Sequence, residues 1–112
     1  MVEQGDIILV NFDPQLGHEQ SGYRPALIIS NKIFNEHARL YLACPISSTN
    51  NNFPLHIRLD NRTKTQGSIL CEHIKSLDLH YRKHKVIEHI PDDILKEVID
   101  IVYATMEILN DD

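Results

Sequence analysis

Three short stretches of this chain hold side chains that could act on a phosphate or a proton. The first is Gly22-Tyr23-Arg24-Pro25, where Arg24 is the only arginine before Arg39. The proline restricts the backbone of the residue before it, so the guanidinium is held at a defined point of the chain. Its planar fork can donate two hydrogen bonds at once to a phosphate. A surface ion pair with Glu19 or Asp13 accounts for such an arginine too, and composition alone favours that plainer reading. The second stretch is Ile46-Ser47-Ser48-Thr49 followed by three asparagines. Its hydroxyls and amides can meet phosphate oxygens or base edges, although any polar turn uses the same residues. The third is Glu72-His73-Ile74-Lys75. On a regular strand neighbours face opposite sides, so His73 and Lys75 would share a cleft from which Glu72 is excluded.

Other candidates are weaker. His80-Tyr81-Arg82-Lys83-His84-Lys85 is a basic run with an aromatic interleaved, suited to a nucleic-acid backbone and equally to a solvated turn. His80 and His84 lie four apart, but no long helix or HExxH pattern accompanies them, so no metal is expected. Cys44 and Cys71 lie in apolar runs and read as small core residues rather than a disulfide or part of a zinc site. The chain lacks GxxxxGK[ST], GxGxxG and GxSxG, which removes most support for nucleotide-driven and serine-hydrolase chemistry. No cofactor is implied.

The elements that must position these groups are mostly strands. Ile7 to Phe12 is β-branched and aromatic and ends at Asp13-Pro14, a first strand. The polar stretch from Gln15 to Arg24 is a long surface loop, of a length that in small domains either carries function or is disordered. Ala26 to Ser30 is a buried second strand, Asn31 and Asn35 mark a turn, and Arg39 to Cys44 is a third strand that stops at Pro45. Pro54 to Leu59 and Ser68 to Ile74 are the fourth and fifth strands. Leu77 to His84 has room for a short helical turn, and Lys85 to Ile90 is the sixth strand. Pro91-Asp92-Asp93 opens the one long helix. Its apolar stripe runs through Ile94, Leu95, Val98, Ile101, Val102, Ile108 and Leu109. Short strands closed by one amphipathic helix imply a mainly β fold, a small barrel with a C-terminal helix.

With 112 residues the chain reads as one domain, 1–112, with the barrel over about 5–90 and the helix over about 91–109. Eleven Lys and Arg against 16 Asp and Glu give a net charge of -5, which argues against an anionic partner. The charge is uneven, however. Seven acids and one lysine follow Ile90, so the first 90 residues carry +1 and all seven histidines. That removes the objection without establishing the opposite; if the partner is a nucleic acid, Arg24, Lys75 and the Arg82-Lys83-Lys85 cluster are expected to make a local positive groove. The N-terminus has none of the basic and apolar regions of a signal peptide, and no apolar run approaches the roughly 20 residues of a membrane span. A cytoplasmic protein without membrane contact is expected.

The order of motifs carries more than any one of them. Gly5-Asp6-Ile7, Asn11-Phe12-Asp13-Pro14, Gly17-His18-Glu19-Gln20, Gly22-Tyr23-Arg24-Pro25-Ala26, Pro45-Ile46-Ser47-Ser48 and Glu72-His73-Ile74-Lys75-Ser76 closely resemble the MazF/PemK family of toxin endoribonucleases. The match runs from about Gly5 to the final helix and is most specific at its N-terminal end. The resemblance implies a PemK-like barrel, related to SH3 barrels, that dimerises with itself and cuts single-stranded mRNA without a metal to stop translation. It places the catalytic arginine on Arg24 and the catalytic hydroxyl on Ser47, with Ser48 as the neighbouring possibility. Glu19 and Gln20 match the family's EQ pair, which would shape the loop around Arg24. Tyr23, Thr49, His73 and Lys75 complete the expected substrate contacts. A cognate antitoxin is the implied partner, occupying the RNA groove with an acidic, partly disordered segment. His73 stands where many relatives have glutamine, so an altered sequence preference and a share in proton transfer are expected of it. The alternative is a non-catalytic toxin or interaction module of the same fold, resembling the CcdB poisons that bind DNA gyrase.

Overall fold

The computed structural model describes residues 1–12, 22–49 and 53–110. In chain order these form β1 (Asp6–Asn11), β2 (Tyr23–Ile28), α1 (Lys32–Ala38), β3 (Tyr41–Ser47), β4 (His56–Arg58), β5 (Ser68–Leu70), β6 (Lys75–Leu77), β7 (His84–His89) and α2 (Asp92–Thr105). The strands make one antiparallel sheet in the order β4-β5-β3-β2-β1-β7, with β6 also paired to β3. The sheet is open and barrel-like, and the C-terminal helix closes one side, as the hydrophobic patterning predicts.

Both faces of β1 and β2 are covered, which is why these strands read as continuous apolar runs rather than as alternation. Ile7, Leu27 and Cys44 face one core together with Ile94, Val98 and Val102 of α2. Ile8, Val10, Ala26, Ile28 and Ala43 face a second, with Leu77 and Leu79. Gly5 sits at the entrance to β1 with φ +94, and a Cβ there would lie 2.6 Å from the His89 ring. That close approach lets His89 reach the buried Asp6, Nδ1 to Oδ1 at 3.0 Å, while Asp6 Oδ2 accepts the Glu3 N–H.

Several expectations are corrected. The turn expected at Asn31 and Asn35 is a helix, α1, capped by the Asn31 side chain and ended by Arg39 in the left-handed region. Its buried residue is Asn35, which accepts a hydrogen bond from Ser30 Oγ and donates to Ser30 O. Strand β3 runs through Pro45 to Ser47 instead of stopping at the proline, because proline's φ lies within the extended region and only its N–H is lost. Between Leu77 and His84 the chain makes one hydrogen-bonded turn, Tyr81 N donating to Asp78 O at 3.2 Å, and no helix. Helix α2 ends at Thr105, and Ile108 and Leu109 are exposed rather than part of its buried stripe.

The expected fifth strand is broken. Ile46 pairs with Ile69, yet Ala43 pairs with Lys75, so three steps along β3 correspond to six along the other segment. The surplus forms a turn at Cys71-Glu72 between β5 and β6. The loop between β4 and β5 is held from a distance by Glu88 of β7. Its carboxylate accepts from Lys64 N at 3.0 Å, Thr65 N at 2.7 Å and Thr65 Oγ1 at 2.7 Å. Burial pushes the Glu88 carboxyl up, but the hydrogen bonds from Thr65 and Lys64 outweigh it and hold it below the usual carboxylate range. The folded chain therefore keeps Glu88 ionised to lower pH than the unfolded chain does. This stabilisation is present above about pH 4.3 and is lost as pH falls toward the folded value. Glu88→Gln should lower Tm at neutral pH and flatten its fall between about pH 5 and 3, measured by thermal denaturation. An unchanged slope would show that this carboxylate does not couple the loop to pH.

Candidate active site

Strand register brings the candidate residues together. Arg24 pairs with Val10 and lies on the same face of β2 as Ala26 and Ile28. Ala26 pairs with Pro45, and continuing that register sets Arg24 opposite Ser47. On the other edge of β3, Ala43 pairs with Lys75, so Lys75 projects to this face as well. The outcome is an open cleft of about 470 Å³ lined by Arg24, Ser47, His73 and Lys75, with Phe12 and Leu70 as its apolar walls. Arg24 is exposed and has no ion-pair or hydrogen-bond partner among the described residues. Asp13 and Glu19, the alternative partners, lie outside them, as does Gln20.

Ser47 is held from two directions. Its Oγ accepts the Thr49 N–H at 3.1 Å, which leaves the hydroxyl proton to donate into the cleft. Its carbonyl packs against Gly67, where φ is +125 and a Cβ would lie 2.3 Å from Ser47 O. Ser48 lies elsewhere, lining a separate cleft of about 380 Å³ with Arg58 and Asp60. Of the two serines, the structure brings Ser47 to Arg24. Thr49 borders both the Ser48 cleft and the one described next. Tyr23 is half-buried, pairs with Asn11 and projects to the sheet face opposite Arg24.

Ser47, Leu70 and His73 also border an adjoining cleft of about 620 Å³ that includes Phe53, His56 and Glu72. Here the strand argument that separated Glu72 from His73 fails, because both residues sit in the turn between β5 and β6 and line the same cleft. Glu72 Oε2 lies 2.8 Å from His56 Nε2 and 3.5 Å from His73 Nε2. Phe53 meets the His56 ring edge-on at 5.1 Å. Burial pushes the Glu72 carboxyl up, but the His56 hydrogen bond and the nearby imidazoles prevail and leave it below its ordinary range. His56 was not a candidate on sequence. Only the β4–β5 register, His56 opposite Leu70, shows that it stands beside Glu72.

The basic run at 80–85 does not join this cleft. Arg82 donates to Asn11 O at 2.9 Å, while His80, Tyr81 and His84 line another cleft of about 800 Å³. The positive groove therefore consists of Arg24 and Lys75, without the Arg82-Lys83-Lys85 cluster. Cys44 and Cys71 are buried free thiols. Burial is the main cause raising them, to about 12 and about 11, so neither is poised as a nucleophile. Among the described residues no three His, Cys, Asp or Glu side chains are grouped to hold a metal ion, and no helix is long and apolar enough to cross a membrane.

Comparison with known proteins identifies the family. A family model described as PemK-like, MazF-like toxin of type II toxin-antitoxin system matches residues 3–105. Endoribonuclease PemK of Escherichia coli is 35% identical over 102 residues, 88% of this chain and 77% of that protein. Endoribonuclease toxin ChpB of Escherichia coli K12 is 35% identical over 113 residues, 94% of each chain. The crystal structure of MazF from Deinococcus radiodurans superposes with a TM-score of 0.81 at 33% identity, covering 94% of this chain and 96% of that one. A MazE-MazF structure from the same organism gives a TM-score of 0.83 at 30% identity, covering 94% and 95%. With the family model covering every strand and both helices, this chain belongs to the PemK-like, MazF-like toxins of type II toxin-antitoxin systems.

Proposed function

We propose that this toxin is an endoribonuclease that cuts single-stranded mRNA by attack of a ribose 2′-OH on the adjacent phosphate, without a metal. The observation that carries this reading is the cleft that sets the Arg24 guanidinium beside the Ser47 hydroxyl. In such a reaction negative charge builds on the phosphorane oxygens, and fixed donors aimed at that charge stabilise it. Arg24 supplies two N–H groups and a full charge, and Ser47 supplies one O–H. A guanidinium does not give up its proton near neutrality, so the role of Arg24 is electrostatic. Lys75 adds a second cation for the flanking phosphate, and Thr49 and His73 border the path of the adjoining nucleotide. The products are a 2′,3′-cyclic phosphate and a 5′-hydroxyl.

The names of the relatives support the activity, and the MazE-MazF structures of a homologue at 30% identity support a cognate antitoxin as partner. We read residues 1–112 as one toxin domain, acting in the cytoplasm. A second copy would extend a cleft that is too short in one protomer to hold several nucleotides, so a homodimer is the working unit. A gyrase-directed toxin would have no need of an exposed guanidinium beside a serine hydroxyl.

The test is incubation of purified protein with RNA in excess EDTA. Cleavage should persist, and a single 2′-deoxyribose on the 5′ side of the scissile phosphate should abolish it at that site, because the nucleophile is then missing. Intact RNA under these conditions, or cleavage of the deoxy-substituted site, would sink this reading.

A further inference from the structure

We propose that His73 is the general acid of this cleavage, giving a proton to the departing 5′-oxygen, with Glu72 as the carboxylate that holds its imidazolium and His56 as the anchor of that carboxylate. The proposal rests on the endoribonuclease reading above. It assigns a proton-transfer role that Arg24 and Ser47 leave open.

Position is the first support. Among the described residues His73 is the one titrating side chain that lines both the Arg24 cleft and the adjoining cleft. It therefore stands where the leaving nucleotide passes from one to the other. The second support is chemical. A departing alkoxide requires a proton, and of the groups in the Arg24 cleft neither a guanidinium nor an ammonium releases one readily near pH 7, whereas an imidazolium does. The third is the geometry around Glu72. Its Oε2 is fixed at 2.8 Å by His56 Nε2, whose side chain is only 9% exposed, and it lies 3.5 Å from His73 Nε2. With Nε2 turned to Glu72 at that distance, Nδ1 is the nitrogen available to the cleft. The charges that face His73 act in opposite directions. Glu72 in its own turn favours the imidazolium, while Arg24 on β2, Lys75 on β6 and any proton on His56 of β4 oppose it. A phosphate bound between Arg24 and Ser47 offsets those cations.

The step balances without any further reactant. The 2′-OH loses its proton to solvent as the 2′-O–P bond forms. The P–O5′ bond breaks, its electron pair leaves on O5′, and the His73 proton joins that oxygen. His73 then regains a proton from water.

The experiment compares single-turnover cleavage of two matched oligoribonucleotides, one natural and one with sulfur replacing the bridging 5′-oxygen at the cut. A thiolate departs without needing a proton. His73→Gln should slow the natural substrate by about 10²-fold and leave the sulfur substrate nearly as fast as with the wild type, which also shows that the variant is folded. Arg24→Ala should slow both alike. Glu72→Gln should move the alkaline limb of the natural-substrate pH-rate profile to lower pH, and Glu72→Asp should restore part of the shift. Equal slowing of both substrates by His73→Gln, or a changed cut site at unchanged rate, overturns the proposal and makes His73 a base contact. A wild-type protein that cuts neither oligonucleotide overturns the endoribonuclease reading, and this inference with it.

Discussion

Arg24→Ala should lower the single-turnover rate of RNA cleavage by about 10²–10³-fold, with the stability of the fold changed by less than about 0.5 kcal/mol. Both halves follow from its placement. Arg24 is exposed and unpartnered among the described residues, so its removal leaves no buried group unsatisfied. It is also the charged donor across the register from Ser47, so its removal takes away the main stabilisation of the phosphorane. Arg24→Lys keeps the charge and loses the fork, and its rate should fall between the two. Cleavage kinetics and thermal denaturation on the same preparations would check this. A rate loss under tenfold, or one matched by a large loss of Tm, would place the catalytic charge elsewhere.

Legibility in the sequence followed the strength of the hydrophobic signal. The strands around β1 and β2 and the long helix α2 were readable because buried apolar runs and a helical stripe announce them. Helix α1 announced nothing of the kind. Its apolar residues Ile33 and Phe34 are exposed, and the side chain it buries is the polar Asn35, so only its Asn31 cap remained as a signal, and asparagine marks turns equally well. Arg24, Ser47, His73 and Lys75 could each be named from local residue types and from the family resemblance. Their meeting in one cleft depends on cross-strand register, which local pattern does not encode. The Glu72–His56 contact shows the limit most clearly. The segment from Ser68 to Ile74, apolar at Ile69, Leu70, Cys71 and Ile74, predicts one regular strand, and nothing local reveals that three surplus residues must turn out between β5 and β6.

Gly67→Ala should test whether the backbone around Ser47 is as closely set as the structure requires. Gly67 has φ +125, a conformation that side chains resist, and its missing Cβ would fall 2.3 Å from Ser47 O and 2.9 Å from the Ser47 carbonyl carbon. The obstructing atoms are backbone, so no rotamer change relieves the contact. Either β5 or the end of β3 must move. The strained φ alone destabilises by about 1–3 kcal/mol. The loop before Gly67 cannot easily yield, because Glu88 holds Lys64 and Thr65. Movement therefore passes to Ser47, whose hydroxyl must remain in reach of a phosphate oxygen beside Arg24. A shift on the order of 1 Å at such a position can slow a reaction by about 10²-fold. Gly67→Ala is thus expected to lose both Tm and cleavage rate, with the rate loss persisting at temperatures where the variant is fully folded. Gln66→Ala, one residue earlier and exposed, should leave both close to wild type. A Gly67→Ala protein that is less stable but cuts RNA at the wild-type rate when folded would show that Ser47 is not held in place by this contact.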